Sequence, residues 1–253
     1  MFGRNFMEKM TVGMMMAPIE EPDHRKNPMV EGRTFVFVDE EGDLGREARK
    51  NGKKWDPSKT FGFGLSVVNE KDIEVFGNIS SLYKERKGIT GEFKARKAES
   101  SAKIMMGLKI RIIGAKTYGV YVDKIKDRPK GWNDERTDGS DLQIEMLYQA
   151  INSVMTETRS DKVTVIIDYH TAYGQKKGDN KVTAMSEPIS EKNGKEVVCE
   201  IATRRYRSQM ETNDVVVHAI HDRKQDHSPW ASLVMGQRII RLDKNNDLRK
   251  NQR

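Results

Sequence analysis

Four carboxylates crowd one short stretch, Asp39-Glu40-Glu41-Gly42-Asp43, directly after the apolar run Phe35-Val36-Phe37-Val38. A second apolar run, Val163-Thr164-Val165-Ile166-Ile167, ends in Asp168. Between them Glu92 stands in Gly91-Glu92-Phe93-Lys94. Carboxylates fixed at the ends of rigid elements suit hard divalent cations, because Mg²⁺ and Mn²⁺ take oxygen ligands. Three such groups brought together repel one another strongly unless a cation neutralises them. Two divalent ions would do so, and would also activate a water and stabilise the leaving oxygen of a phosphodiester. Asp39, Glu92 and Asp168 are therefore the candidate catalytic and metal-binding residues. The plainer alternative for the stretch around Asp39 is a solvated acidic turn.

The charge of the chain bears on the partner. Its 253 residues carry a net charge of +7, which favours a polyanion such as nucleic acid over an acidic small molecule. Residues 84–116 hold ten Lys or Arg and three Glu, a net of +7 in that stretch alone. Lys94, Arg96 and Lys97 follow Glu92 directly and are candidates to hold a phosphate backbone. Arg204 and Arg205, in a cluster with Tyr206 and Arg207, form a second, weaker candidate. The competing reading of such runs is a solvated helix face. His170, two residues past Asp168, could orient a water, and His218 reads as core or interface. The single cysteine, Cys199, lies among Val197, Val198 and Ile201 and reads as core packing. One cysteine permits neither an intrachain disulfide nor a cysteine-based zinc cluster and fits a reducing cytoplasm. No run of 18 apolar residues exists, so no membrane span is expected. Gly62 and Gly64 form no dinucleotide fingerprint, and neither a phosphate-cradling loop nor a nucleophile elbow occurs.

The elements that must position these residues follow from periodicity. Residues 34–39 and 163–168 read as buried strands, the second covered on both faces. Phe61 to Val68 alternates and is expected to pair antiparallel with the first strand. Asp72 precedes a helix carrying Ile73, Phe76, Ile79, Leu82 and Tyr83. Ala98, Ala102, Met105 and Leu108 mark another, and Ile110–Ile113 and Tyr118–Val122 read as strand. Ser140 with Gln143 resembles a capping box before the helix of Ile144, Leu147, Tyr148, Ile151, Val154 and Met155. Residues 46–60 and 174–195 read as loops, the latter with a short hairpin as alternative. Val197 to Tyr206 reads as helix, Val215–Ile220 as strand, and a last helix begins at Pro229. Residues 1–32, rich in methionine, read as a flexible arm, and 243–253 as a charged tail.

This order of motifs resembles the family described as domain of unknown function 3800, a branch of the ribonuclease H-like superfamily. The family's Asp-Glu-Ser-Gly-Asp is met by Asp39-Glu40-Glu41-Gly42-Asp43, its Glu-x-Lys by Glu92-Phe93-Lys94, and its later strand aspartate by Asp168. The resemblance spans roughly residues 33–242. It implies a mixed central sheet flanked by helices, first strands antiparallel and later ones parallel, with Asp39, Glu92 and Asp168 as metal carboxylates. The family's C-terminal Leu-Gln-x-Ala-Asp-Leu aligns with Ser228-Pro229-Trp230-Ala231-Ser232-Leu233, which puts Ser232 where an aspartate is expected. Asp226 or Asp222 would then have to substitute as a metal ligand, with Asp226 preferred.

The expectation is thus one α/β, ribonuclease H-like domain that hydrolyses phosphodiester bonds of DNA or RNA with Mg²⁺ or Mn²⁺. Two alternatives stand beside it: a catalytically impaired nucleic-acid-binding module, suggested by Ser232, and a structural or assembly protein reusing the fold, which would form a homo-oligomer.

Overall fold

Strand β1 (Arg33–Glu41) is the hub of a six-stranded sheet. Its side chains alternate between two covered faces, so every residue from Thr34 to Val38 is buried. The computed structural model describes residues 32–42, 48–50, 53–55, 60–123, 139–168, 177–226 and 239–241. The expected arm and tail, the stretch 124–138, His170, and the Pro229 helix with Ser232 lie outside or almost wholly outside these.

Along the chain, β1 is followed by the small hairpin β2 (Ala48–Lys50) and β3 (Lys53–Trp55) and then by β4 (Thr60–Asn69). Helices α1 (Ile73–Lys87) and α2 (Ser100–Ile112) precede β5 (Lys116–Asp123). Helix α3 (Gly139–Met155) leads to β6 (Lys162–Ile167). Two short helices, α4 (Lys177–Ala184) and α5 (Ser186–Asn193), precede β7 (Glu196–Ile201). The long helix α6 (Arg207–Asp226) and β8 (Ile239–Arg241) complete the described chain.

The strand order is β7-β6-β1-β4-β5-β8. β4 lies antiparallel to both β1 and β5, whereas β6 is parallel to β1 and β7, and β8 is parallel to β5. This is the mixed sheet flanked by helices that the resemblance implies.

Helices cover both faces. Val36 and Val38 pack with Phe63, Leu65 and Val165 under Leu147, Ala150, Ile151 and Val154 of α3, with Val182 and Ile189 of α4 and α5 alongside. Phe35 and Phe37 face the other way and pack with Phe76 and Ile79 of α1, Met106 and Ile110 of α2, and Met210, Val215 and Val216 of α6. On that side α6 is pressed onto the sheet. A Cβ at Gly64 would lie 2.9 Å from the Cα of Val217, so only glycine admits the helix there.

Several elements differ from their sequence reading. Ile110 and Ile112 belong to α2 and not to a strand, since Ile110 completes the stripe begun by Lys103 and Met106. Residues 46–60 include the β2–β3 hairpin, and 177–193 form two helices within the expected loop. Residues 196–201 are a strand, with Val197 and Cys199 turned inward and Val198 exposed, a period of two in place of the helical one. Cys199 is buried core, and burial pushes its thiol up to about 12. Val215–Ala219 lies inside α6 and is not a strand, and Ile240 is in β8 and not in a helix. The Gln143 amide donates to Glu40 on β1.

Candidate metal centre

The parallel register of β1 and β6 sets Val38 beside Ile167, and the Asp168 N–H donates to the Val38 carbonyl at 2.9 Å. The next residues, Asp39 and Asp168, therefore stand on adjacent strands at the same level, about 5 Å apart along the hydrogen-bonding direction. Asp39 shares a face with Phe35 and Phe37, and Asp168 shares one with Ile166, which belongs to the same core cluster under α6. Both carboxylates thus project toward α6. At the end of β1, Gly42 has φ 88°, a left-handed conformation that favours glycine.

Over this strand edge lies Asp214 of α6. Its Oδ2 accepts the Ala95 N–H at 2.5 Å, which ties the helix to the segment carrying Glu92, Phe93 and Lys94. The preceding residue, Asn213, is fully buried. Its side chain accepts from the Ser66 hydroxyl at 2.6 Å and donates to the Gly64 carbonyl at 3.2 Å, which fixes the rotation of α6 over the sheet. A cleft of roughly 280 Å³ results, lined by Asp39, Glu92, Lys94, Asp168, Arg204, Arg207, Glu211 and Asp214 among others.

The electrostatics follow from crowding. Burial, then the charges of Asp168 and Asp214, hold the Asp39 carboxyl well above the usual carboxylate range, while the Glu40 N–H (2.8 Å) and Lys94 oppose this. Burial likewise raises Asp214. The Ala95 N–H and Lys94 offset part of that rise, and Glu92 and Asp168 add to it. Burial pulls the Lys94 ammonium down, but its bond to Glu92 and the charges of Asp214, Glu92 and Asp39 outweigh this and leave it raised. Lys94 Nζ lies 2.6 Å from Glu92 Oε1. On the opposite face of β1, Glu40 is pushed up to about 7 by burial and by Asp168, against the donated bond from Gln143.

The donor set fits a hard divalent cation in chemistry: oxygen ligands from three rigid elements, with mutual repulsion that a cation would relieve. The present side-chain arrangement is not a chelate. Among the described residues no three histidine, cysteine or acidic side chains are grouped so as to hold an ion, since Asp214 is turned to the Ala95 N–H and Glu92 to Lys94. Four residues, Asp39, Asp168, Asp214 and Glu92, could therefore serve as ligands after side-chain rotation.

No protein-family model and no curated protein matches the chain. Among solved structures, it is similar to ribonuclease H2 from Pyrococcus horikoshii OT3, at 15% identity over 78% of both chains, with a TM-score of 0.47. It is similar also to a chain in the PCNA–ribonuclease HII complex from Archaeoglobus fulgidus, at 14% identity over 77% of this chain and 75% of that one, with a TM-score of 0.43. Likenesses at these scores establish neither family nor activity.

The residues singled out in the sequence fare differently. Asp39, Glu92, Asp168, Lys94 and Arg204 all line the one cleft. Arg96 and Lys97 are exposed on the 3-10 turn beside it and are not among its lining. Arg205 is turned onto the Tyr206 ring, 5.2 Å from its centroid. Asp226 ends α6 twelve residues past Asp214, about 18 Å along the helix axis, too far to join the same centre. Asp214 was missed. The signal was present: Met210-Glu211-Thr212-Asn213-Asp214-Val215 keeps the apolar-polar-x-small-Asp-apolar order of the family's C-terminal helix better than 228–233 does. His218 lies on α6, half-buried, with Nε2 2.9 Å from the Lys103 ammonium, away from the cleft lining.

Proposed function

We propose that the protein is a divalent-metal-dependent nuclease acting on phosphodiester bonds of nucleic acid, related to the domain of unknown function 3800 family. Asp39, Asp168 and Asp214 would hold Mg²⁺ or Mn²⁺, with Glu92 joining on release of Lys94. When bound, the ion would supply an activated water and stabilise the departing oxygen. The chain's own residues do the rest. Asp39 and Asp168 are fixed by the β1–β6 register. Asp214 is oriented by the Ala95 N–H and by the Asn213 anchor. Lys94 and Arg204, at the same cleft, attract and hold the polyanion. The observation that carries this reading is the convergence, in one cleft, of aspartates from two neighbouring parallel strands and the helix above them, where burial first and then the neighbouring carboxylates raise Asp39 and Asp214.

The experiment is cleavage of labelled DNA, RNA and hybrid strands with Mg²⁺, Mn²⁺ or EDTA. Cleavage is expected only with a divalent ion, and Asp39→Asn and Asp214→Asn are expected to abolish it. Full-rate cleavage by either variant would discard the mechanism. The binding-module alternative drew on Ser232 as a missing ligand. Asp214, at the same cleft as Asp39 and Asp168, is a candidate for that aspartate from another position and supports the nuclease reading over the binding module.

A further inference from the structure

Arg207 lines the same cleft as Asp39, Asp168 and Asp214. It opens α6 with its side chain 60% exposed, and its Nε donates to Glu211 Oε1, one turn on, at 3.3 Å. Glu211 is buried, with only 4% of its side chain exposed, and Lys84 of α1 donates to both its oxygens at 2.9 Å. A buried carboxylate keeps its charge only when it is paired and hydrogen-bonded. Glu211 lies one turn before Asp214 on the same side of the helix. With both oxygens engaged by cations, though, it is committed to Lys84 and Arg207 and does not extend the acidic centre.

The pairing shapes Arg207. A guanidinium held at Nε keeps its two terminal nitrogens, four N–H donors in one plane, for another partner. Among the described residues nothing accepts from them. Arg204, three residues earlier and exposed, lines the same cleft. A tethered planar fork at the mouth of an acidic cleft matches a phosphodiester oxygen pair, which guanidinium binds bidentately.

We propose that Arg207, with Arg204 beside it, seats a backbone phosphate neighbouring the scissile one, and that Glu211 and Lys84 are positioning residues that aim the fork. The identity of the ligand as nucleic acid rests on the functional reading above. The fork and its tether do not.

The test is fluorescence anisotropy with fluorescein-labelled oligo-dT in EDTA across a salt series, so that no cleavage is needed. Arg207→Gln should weaken binding about tenfold and lower the slope of log affinity against log salt by about 0.7, the value for one phosphate contact on a single strand. Arg207→Lys should restore the slope but only part of the affinity, because an ammonium cannot form the fork. Glu211→Gln should weaken binding less, and adding it to Arg207→Gln should cost nothing more. If Glu211→Gln does not fold, the two Arg207 variants decide the matter, since that side chain is exposed. Arg207→Gln binding with unchanged affinity and slope overturns the seat, as does a wild-type protein that does not bind the strand. The first of these outcomes, with Asp39→Asn still abolishing cleavage, removes the seat and spares the nuclease reading. The expected Arg207 results without cleavage in any metal remove the nuclease reading and spare the seat.

Discussion

The two faces of the sheet are built on different principles. Under α3 the contact is mainly apolar, with Val36, Val38, Leu65, Leu147, Ile151 and Val154 buried together, and the Gln143–Glu40 hydrogen bond lies at its edge. Under α6 the contact is threaded with polar groups. Thr212 accepts from the Ser80 N–H at 3.2 Å and donates to the Phe76 carbonyl at 3.0 Å, Asn213 bonds Ser66 and Gly64, and Glu211 holds Lys84. Dispersion and hydrophobic contact are non-directional, so the α3 face confers stability without strict registration. Hydrogen bonds are directional, so the α6 face fixes the rotation of one helix to within a side chain. Asp39, Asp168 and Asp214 gather on the face where rotation is fixed.

The first way to break this contrast is a cavity on the apolar side. Leu147→Ala should cost about 2–5 kcal/mol in a urea melt yet leave Mn²⁺ affinity of the folded protein unchanged. A matching loss of affinity would mean that the two faces are not separable. The second is Asn213→Ala. It leaves the Gly64 carbonyl and the Ser66 hydroxyl without their partner at a cost of about 1–3 kcal/mol. Unlike Leu147→Ala, it should also weaken Mn²⁺ binding, read by titration calorimetry, because Asp214 is the next residue.

The third concerns pH. Glu40 has a folded pKa of about 7 against an ordinary 4.5, so the folded state binds the extra proton. Stability is then full below about 4.5 and falls as pH rises through 7. Glu40→Gln should remove that slope and, above pH 7, stabilise the metal-free protein by about 1–2 kcal/mol after solvent screening. A variant with an unchanged pH–stability curve would contradict the assignment. The smallest effect is expected from protons competing with metal. Because Asp39 and Asp214 are both raised, Mn²⁺ binding should strengthen from mildly acidic to neutral pH with proton release, measurable by calorimetry in buffers of different ionisation enthalpy.

Legibility in the sequence divides along the same line. β1 and β6 were readable because an apolar run ending in a carboxylate is a local signal, and α3 because its apolar residues keep a helical period. Asp214 was not, because the buried face of α6 includes Thr212 and Asn213, which look like surface residues, followed by three consecutive valines that imitate a strand. What makes those polar residues tolerable inside is supplied from Ser66, Gly64, Phe76 and Ser80, more than 130 positions away. No window along the chain contains that information. Arg207 was legible as a member of a basic cluster, but its fixed place was not, since Lys84, which holds it through Glu211, lies on α1.

The central claim is that Asp39, Asp168 and Asp214 form one cation site. Titration calorimetry with Mn²⁺ on the wild type and on Asp39→Asn, Asp168→Asn and Asp214→Asn tests it most directly. Binding by the wild type, weakened in each variant by more than the roughly 10–100-fold that loss of a supporting partner costs, is the predicted result. A wild type that takes up no Mn²⁺, or an Asp214→Asn variant that binds it undiminished, would contradict the claim.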